Sequence, residues 1–251
     1  MQKKIAIFAL LLLFGCNNTA KQKKTISLTE ASNKQVVKSD TLRKTKVLTN
    51  EERELQQKEF EEQEKLDSLR WLKVLKKALQ YAEQNKGRNS FRHEFEMLPD
   101  DSAFNVTAQL YFGNLFDNYR KHLLIRRKVP WRAVLDVYLL QNGKLKLVVE
   151  RIQAGLTYVD DTIRDVNGDK YVDFLVHWYP SSGCCLADVF NVYLYQPKTG
   201  TFTSDYEFIN PKFLPDDKII RGLLYGHPGE VGLYKYKWNG LLVDTIEFIY
   251  P

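Results

Sequence analysis

Two Asn-Gly pairs, Asn142-Gly143 and Asn239-Gly240, constrain the fold of this chain most strongly, because each lies between runs of alternating apolar and polar residues. The sequences VLDVYLL and KLKLVVERI flank the first pair, and KYKW and LLVDTIEFI flank the second. Residues that adopt positive φ at little cost, placed between alternating runs, are the strongest short-range signal of a β-hairpin. Both segments are therefore predicted to be antiparallel hairpins in which Asn and Gly both have positive φ.

The same period of two continues along much of the chain after residue 87. A third hairpin is predicted to join DVFNVYLY to TFTSDYEFI, and further strands are expected over residues 104–112, 156–164, 171–179 and 219–226. The chain is therefore predicted to be mainly β, an antiparallel meander of roughly nine to eleven strands over residues 87–251. A propeller-like arrangement and a sandwich are the two alternatives, and no internal repeat is clear enough to establish a propeller.

Residues 51–86 are predicted to form one N-terminal amphipathic helix. Thr49 or Asn50 can cap its start, and glutamates crowd its first turn, where the helix dipole favours them. An apolar stripe is formed by Leu66, Leu69, Leu72, Leu75, Leu79 and Ala82. Residues 51–65 are almost all polar, so we expect the first half of the helix to be solvated and the stripe to pack on the β-domain. The stripe is too short and irregular for a coiled coil of several heptads.

The start of the chain, MQKKIAIFALLLLFGCNN, has the pattern of an export signal. Lys3 and Lys4 precede an uncharged apolar run from Ile5 to Phe14, which is shorter than the roughly 20 residues that a membrane-spanning helix needs. A positive end, a short apolar run and small residues after it are typical of a secretory signal. Residues 1–15 are therefore predicted to be removed.

The tetrapeptide Leu13-Phe14-Gly15-Cys16 resembles the lipobox of bacterial lipoproteins. The resemblance implies cleavage before Cys16 and attachment of lipids to that cysteine, which anchors the protein to a membrane. Asn17 is not acidic, which is similar to lipoproteins that are passed on to the outer membrane and face the periplasm. The alternative is an ordinary secretory signal that happens to end near a cysteine.

The formal net charge of +6 belongs to the start of the chain and not to the predicted domain. Residues 17–50 contain eight basic and two acidic residues, and the signal contains two lysines, which leaves 27 basic and 29 acidic residues from residue 51 onward. A domain without a basic excess gives no support to nucleic-acid binding. Residues 16–50, which are rich in Lys, Thr, Ser and Asn, are predicted to be a disordered tether between the membrane and the domain.

The stretch RDVNGDKYVD at 164–173 places oxygen-bearing residues at every second position, as a calcium-binding loop does. The predicted ligands are the side chains of Asp165, Asn167, Asp169 and Asp173 and the backbone carbonyl of Tyr171. Calcium takes six to eight oxygen ligands, one of them a carbonyl at the seventh loop position. The twelfth position of the loop is Val176, which excludes an EF-hand, and Lys170 stands where such loops favour glycine. The alternative is an Asx-rich turn without a metal.

This loop, followed directly by the apolar strand YVDFLVHWY, resembles the calcium loops of FG-GAP and VCBS-type β-proteins. The order of a calcium loop, a strand ending in Ser-Gly-Cys, the hairpin VYLYQPKTGTF and the closing YKWNGLLVDTIEF is similar to periplasmic lipoproteins with a propeller-like β-domain, and the similarity covers residues 130–251. Some members of that group are immunity proteins that inhibit a cell-wall-degrading toxin. The resemblance therefore implies structural calcium and a protein partner in the cell envelope.

The other reactive side chains give no clear catalytic pattern. Cys184 and Cys185 are adjacent, and they form either a strained disulfide or free thiols. His177 alternates with aromatic residues on a predicted strand, which favours a hydrogen-bonded histidine of the sheet over a catalytic base. The four histidines are scattered, so zinc has no support.

A basic stretch between residues 120 and 132 is the remaining candidate surface. Arg126, Arg127 and Lys128 at its centre could contact an acidic partner or a membrane, and a solvated strand edge is the alternative. Two classes of function remain: a non-enzymatic lipoprotein that binds another envelope protein, and a calcium-dependent cell-envelope hydrolase or glycan-binding protein.

Overall fold

A computed structural model describes residues 49–99, 104–130, 132–152, 156–180, 187–226 and 230–250. The predicted signal, Cys16 and almost all of the predicted tether lie outside the described residues, and so do Cys184 and Cys185. Within the part that is described, no helix has both the length and the apolar character needed to cross a membrane.

A single long helix, α1, runs from Asn50 to Asn85, close to the predicted bounds. Thr49 caps it, because the Thr49 hydroxyl accepts a hydrogen bond from the Glu52 N–H at 3.2 Å and the Glu52 carboxylate accepts one from the Thr49 N–H at 2.8 Å. This reciprocal pair satisfies two N–H groups that a helix start otherwise leaves without partners. The start of α1 is therefore fixed by its own sequence.

The packed face of α1 differs from the predicted leucine stripe. The buried residues are Trp71, Val74, Ala78 and Ala82. Leu75 and Leu79 pack at the border of this face, but Leu69 and Leu72 remain 51% and 54% exposed. The prediction that Leu69 and Leu72 are buried is therefore wrong, because two alanines and a valine allow the helix to approach the sheet more closely than leucines would. The expectation that residues 51–65 are solvated is confirmed.

In the part of the chain that the structure describes, three larger antiparallel sheets and one two-stranded sheet follow the helix. The first sheet contains, in spatial order, β1 (Phe91–Met97), β2 (Val106–Gly113), β3 (His122–Val129), β4 (Arg132–Gln141) and β5 (Lys144–Ile152). The second sheet contains β6 (Leu156–Arg164), β7 (Asp173–Pro180), β8 (Val189–Tyr193) and β11 (Tyr206–Ile209). The short strands β9 (Tyr195–Gln196) and β10 (Thr201–Phe202) form a hairpin between β8 and β11. The third sheet contains β12 (Pro211–Leu214), β13 (Ile219–Tyr225), β14 (Val231–Asn239) and β15 (Leu242–Ile249).

The sheets and the helix pack face to face as successive layers. One apolar core joins α1 to the first sheet, a second joins the first sheet to the second, and a third joins the second sheet to the third. β7 shows how one strand serves two cores: Phe174, Val176 and Trp178 enter the second core, and Leu175 enters the third. β4 is likewise buried on both faces, from Ala133 to Leu139, although Asp136 interrupts its apolar residues. The predicted mainly-β antiparallel fold with one helix is confirmed.

The hairpin turns follow the prediction with one difference. Asn142 and Gly143 have φ of 51° and 72°, as a type I′ turn requires. At the other pair, Asn239 ends β14 and pairs with Leu242, so Gly240, with φ of 62°, is the first turn residue. Glycine at the first central position is typical of a type II′ turn. The third predicted hairpin is present as well, interrupted so that β9 pairs with β10 and β8 pairs with β11.

Candidate functional site: the aspartate-rich loop

The predicted calcium loop connects β6, which ends at Arg164, to β7, which begins at Asp173. These two strands pair with each other, so the loop closes a hairpin at one edge of the second sheet's core. The five predicted ligand residues, Asp165 to Asp173, therefore lie in one short turn, as expected from their spacing.

The side chains of this loop accept hydrogen bonds from its own backbone. The Asp165 carboxylate accepts from the N–H groups of Asn167, Gly168 and Lys170 at 3.1, 2.7 and 2.9 Å. The carbonyl oxygen of the Asn167 side chain accepts from the Asp169 N–H at 3.1 Å, and the Asp169 carboxylate accepts from the Tyr171 N–H at 2.9 Å. Each side chain thus stabilises the backbone two to five residues ahead of it, which is the pattern of an Asx-turn.

Asp173 links the loop to the second sheet and the β9–β10 hairpin. It is fully buried, and its carboxylate accepts from the Val166 N–H at 3.1 Å and from the Tyr195 N–H at 2.9 Å. Burial and, to a smaller extent, the nearby charges of Asp169 and Asp165 outweigh the effect of the two hydrogen bonds, and together these influences raise the pKa of Asp173 to about 7. Around neutral pH this carboxyl therefore carries only part of a negative charge.

The backbone of the loop is held in two unusual conformations. Gly168 has φ of 73°, and a Cβ at this position would collide with the carbonyl oxygen of Pro215. Lys170 has φ of 71°, a conformation that costs a residue with a side chain on the order of 1 kcal/mol. The hydrogen bond from the Lys170 N–H to Asp165 helps to hold it there.

The donor set agrees with calcium in the kind of its atoms, since the side-chain donors are carboxylate and amide oxygens. An oxygen that accepts one hydrogen bond also keeps acceptor capacity. The conformation of the loop does not bring these donors together as metal ligands. Among the described residues, no group of three or more His, Cys, Asp or Glu side chains is arranged so that it could hold a metal ion. The loop therefore has the ligand types for calcium in a conformation that uses them as turn acceptors.

The three basic residues proposed as an interaction site lie on β3, with Arg127 on the face toward α1 and Arg126 and Lys128 on the opposite face. Arg126 forms a bidentate ion pair with Asp161 of β6, with both N–O distances 2.5 Å, and so connects the first two sheets. Arg127 is buried under α1, where it donates to Asp136 at 2.6 Å and to the carbonyl of Trp71 at 2.9 Å. The side chains of Arg126 and Arg127 therefore form contacts inside the molecule.

Lys128 lines a cleft of about 560 Å³ at the end of the first sheet. Its cross-strand neighbours are Thr107 and, one strand further, Glu96, so the floor of the cleft carries an ammonium, a hydroxyl and a carboxylate in one row. Val159, the extra residue of a β-bulge in β6, forms part of the opposite wall. β-bulges often redirect a side chain toward a functional site. Lys128 was a candidate from the sequence, but the cleft around it was not predicted, because its residues come from β1, β2, β3, β4 and β6 and from the segments between them.

A second polar cluster joins the loop before β3 to the β9–β10 hairpin. The Asp117 carboxylate accepts from the Arg120 guanidinium at 2.9 Å, from the Tyr119 N–H at 2.8 Å and from the Tyr195 hydroxyl. Burial alone would raise the pKa of Asp117, but these hydrogen bonds hold it below its ordinary value. This carboxylate is therefore ionised and fully used in holding the loop.

The histidines that the structure describes lie on strands and have partners there. His177 Nε2 is 2.9 Å from Asp188, and its ring stacks on Phe190 with 4.3 Å between centroids. His122 donates through Nε2 to the Gly200 carbonyl at 2.9 Å, and burial lowers its pKa, so it is neutral. These contacts agree with hydrogen-bonded histidines of the sheets.

No protein-family model, curated protein or solved structure matches this chain.

Proposed function

We propose that this protein is an exported lipoprotein, anchored through lipids on Cys16 to the outer membrane and facing the periplasm. Its β-domain binds another protein of the cell envelope and does not catalyse a reaction. The observation that carries the proposal is the Leu13–Cys16 motif directly after a short apolar run. Residues 17–48 then separate the anchor from the domain, and a flexible segment of that length has an end-to-end distance of roughly 30 Å.

The cleft beside Lys128 supports the binding part of the proposal. It combines the row of Glu96, Thr107 and Lys128 with the exposed apolar side chain of Val159. Mixed charge around an apolar contact is typical of a protein interface, in which charged groups provide specificity and apolar groups provide contact area. Inhibition of a cell-wall hydrolase is the specific role implied by the resemblance of residues 130–251.

The proposal includes calcium as a structural ion, held by Asp165, Asn167, Asp169, Asp173 and the Tyr171 carbonyl. Calcium, when bound, would neutralise carboxylates that now repel one another, and Asp173 would carry that effect to the β9–β10 hairpin through its hydrogen bond from Tyr195. The role is stabilisation of the domain, at a distance from the cleft of Lys128.

The anchor is tested by fractionation of cells that express the full chain. The wild-type protein is expected in the membrane fraction, and Cys16→Ser is expected to release it or to leave its signal uncut. A radiolabelled fatty acid should label the wild type and not the variant. A wild-type protein that is wholly soluble and unlabelled would contradict the anchor.

The choice between a binding protein and a hydrolase is tested with purified protein and isolated peptidoglycan. We expect no release of soluble fragments by the protein itself, and slower digestion when it is added to hydrolases extracted from the same envelopes. Lys128→Glu is expected to weaken this inhibition because the cleft loses its cation, and Lys144→Glu, an equal charge change on the far hairpin, is the control. Turnover by the pure protein that disappears with one carboxylate substitution would instead support the hydrolase.

A further inference from the structure

The outer face of the third sheet carries two exposed apolar rows at its β13–β14 turn. In the first row Tyr225 of β13 pairs with Val231 of β14. In the second, Leu223, Leu233 and Ile249 are direct neighbours on β13, β14 and β15, and they remain 43%, 37% and 49% exposed. The other two sheets are covered on both faces by the layered cores. This face of the third sheet is therefore an apolar surface that the described part of the molecule leaves open.

The next row along the same strands is cationic. Cross-strand pairing places Lys212, Arg221, Lys235 and Glu247 side by side on β12, β13, β14 and β15. Three adjacent like charges destabilise a sheet, since directly opposed charges of one sign repel. Among the described residues no salt bridge involves Lys212, Arg221 or Lys235. Three cations with a single acidic neighbour, Glu247, beside an exposed apolar surface favour an anionic, partly apolar binding partner.

The order of the rows indicates what that partner is. Residues two apart on a strand lie about 6.8 Å apart along it, so the surface changes from apolar to cationic over the depth of one lipid headgroup layer. An apolar end followed by cations is the order in which a bilayer presents acyl chains and then phosphates. Tyr225 and Tyr250 at this end are side chains of the kind that favour the membrane interface.

We infer that the β13–β14 end of the third sheet inserts shallowly into an anionic lipid bilayer. Leu223, Leu233 and Ile249 contact the acyl boundary, and the cationic row lies at the level of the phosphates. The inference rests on the proposed function in one respect: the lipid on Cys16 keeps the domain near a membrane, so a weak surface affinity is sufficient. The domain would then present the cleft of Lys128 from a fixed orientation.

A second copy of the chain fits this surface less well than a bilayer does. Two such faces packed about a two-fold axis would bring the row of Lys212, Arg221 and Lys235 against its own copy, and only Glu247 would offset the repulsion. An acidic protein could also pair with the cations. A protein partner, however, does not require an apolar row at the end of the sheet followed by a cationic row, whereas a bilayer does.

The test is co-sedimentation of the processed chain carrying Cys16→Ser, which has no lipid, with vesicles. Binding is expected to vesicles that contain phosphatidylglycerol and not to phosphatidylcholine alone, and it should weaken with salt. Each cation near an anionic surface strengthens binding by about fivefold, so Arg221→Gln with Lys235→Gln should lower the partition coefficient by about 25-fold. Leu223→Ser with Leu233→Ser should also weaken binding.

The matched control is Lys144→Gln with Lys146→Gln, which removes the same amount of charge from exposed positions of β5. Every variant keeps the basic segment before residue 50, so a difference between the two variants is due to the position of the charges on the domain. This control variant should bind as the wild type does, and every variant should keep the far-UV circular dichroism spectrum of the folded protein. An equal loss of binding in the Arg221→Gln with Lys235→Gln variant and in the Lys144→Gln with Lys146→Gln variant would overturn the inference. The same conclusion would follow if the wild type did not bind vesicles that contain phosphatidylglycerol. A wild-type dimer that Leu223→Ser with Leu233→Ser disperses would identify a second copy as the occupant. Because these vesicles receive protein without lipid, the result does not depend on whether Cys16 is lipidated in cells.

Discussion

Replacing Arg127 by methionine is expected to lower the free energy of unfolding by about 3–5 kcal/mol, the largest single effect that we predict. Arg127 and Asp136 are both buried, and their 2.6 Å ion pair lies under α1, whose Trp71 carbonyl accepts a second hydrogen bond from Arg127. Methionine fills a similar volume but leaves the Asp136 carboxylate buried without a partner. Urea unfolding, followed by far-UV circular dichroism, measures the change.

The same variant should show a characteristic dependence on pH. Burial raises the pKa of Asp136 and the charge of Arg127 lowers it, so loss of the arginine raises it further. A carboxyl with a folded-state pKa above its unfolded value stabilises the fold when protonated, and that stability is lost as the pH rises through the folded pKa. The deficit of Arg127→Met relative to wild type should therefore be smallest in acid.

Two further variants separate this buried pair from simple loss of a positive charge. Arg127→Met with Asp136→Leu should recover much of the stability, because replacing both members of a buried pair by apolar residues is often neutral or favourable. Lys128→Ala, next in sequence and outside the buried pair, should change stability by no more than about 0.5 kcal/mol. An Arg127→Met protein as stable as the wild type would mean that α1 is held by its apolar contacts alone.

Saturating calcium is expected to raise the melting temperature of the protein by about 5–10 °C. A ligand at 100 times its dissociation constant adds about 2.7 kcal/mol, and in a protein of this size each kcal/mol is worth roughly 2–4 °C. A loop with few charged ligands should bind with a dissociation constant of order 10⁻⁵–10⁻³ M, so saturation at 100 times this constant requires about 1–100 mM calcium. Thermal melts in a chelator and in calcium, with magnesium as the comparison ion, measure the effect.

Asp169→Asn is the informative variant for this loop, because an amide oxygen can still accept the hydrogen bond from the Tyr171 N–H. It should keep the turn and lose most of the calcium response. Glu207→Gln, an exposed acid on β11, should respond to calcium as the wild type does. Identical melts in chelator and in calcium would assign the aspartates to the turn alone.

The face of α1 shows what local sequence can and cannot determine. The helix and its cap follow from residues within one turn of each other, and both lie where they were predicted. The buried face does not follow, because Leu69 and Leu72 repeat with the same period as Val74 and Ala78. The choice between these two faces depends on β2 and β3, which lie far along the chain, and on Arg127, which holds the Trp71 carbonyl.

The aspartate-rich loop was likewise predictable from the sequence only in part. Its position between two paired strands was predictable from the Asn-Gly-Asp spacing and the apolar run after it. The burial of Asp173 was not, because it depends on the Tyr195 N–H, which belongs to a hairpin that follows two strands later. Lys128 was a candidate from the sequence, but the cleft around it was not predictable for a similar reason: Val159 faces it only because β6 contains a bulge.

The layered order of the sheets also has a kinetic consequence. Each sheet uses strands that are close in the chain, residues 91–152, 156–209 and 211–249, and such local pairing closes small loops and favours fast folding for a β-protein. A chain that is made from its N-terminus can therefore complete one sheet before the strands of the next have been synthesised. Until the last strands arrive, Leu175, Val192 and Phe208 on the second sheet have no cover. A chain that stopped before residue 211 would keep this apolar face permanently open and would be prone to aggregate.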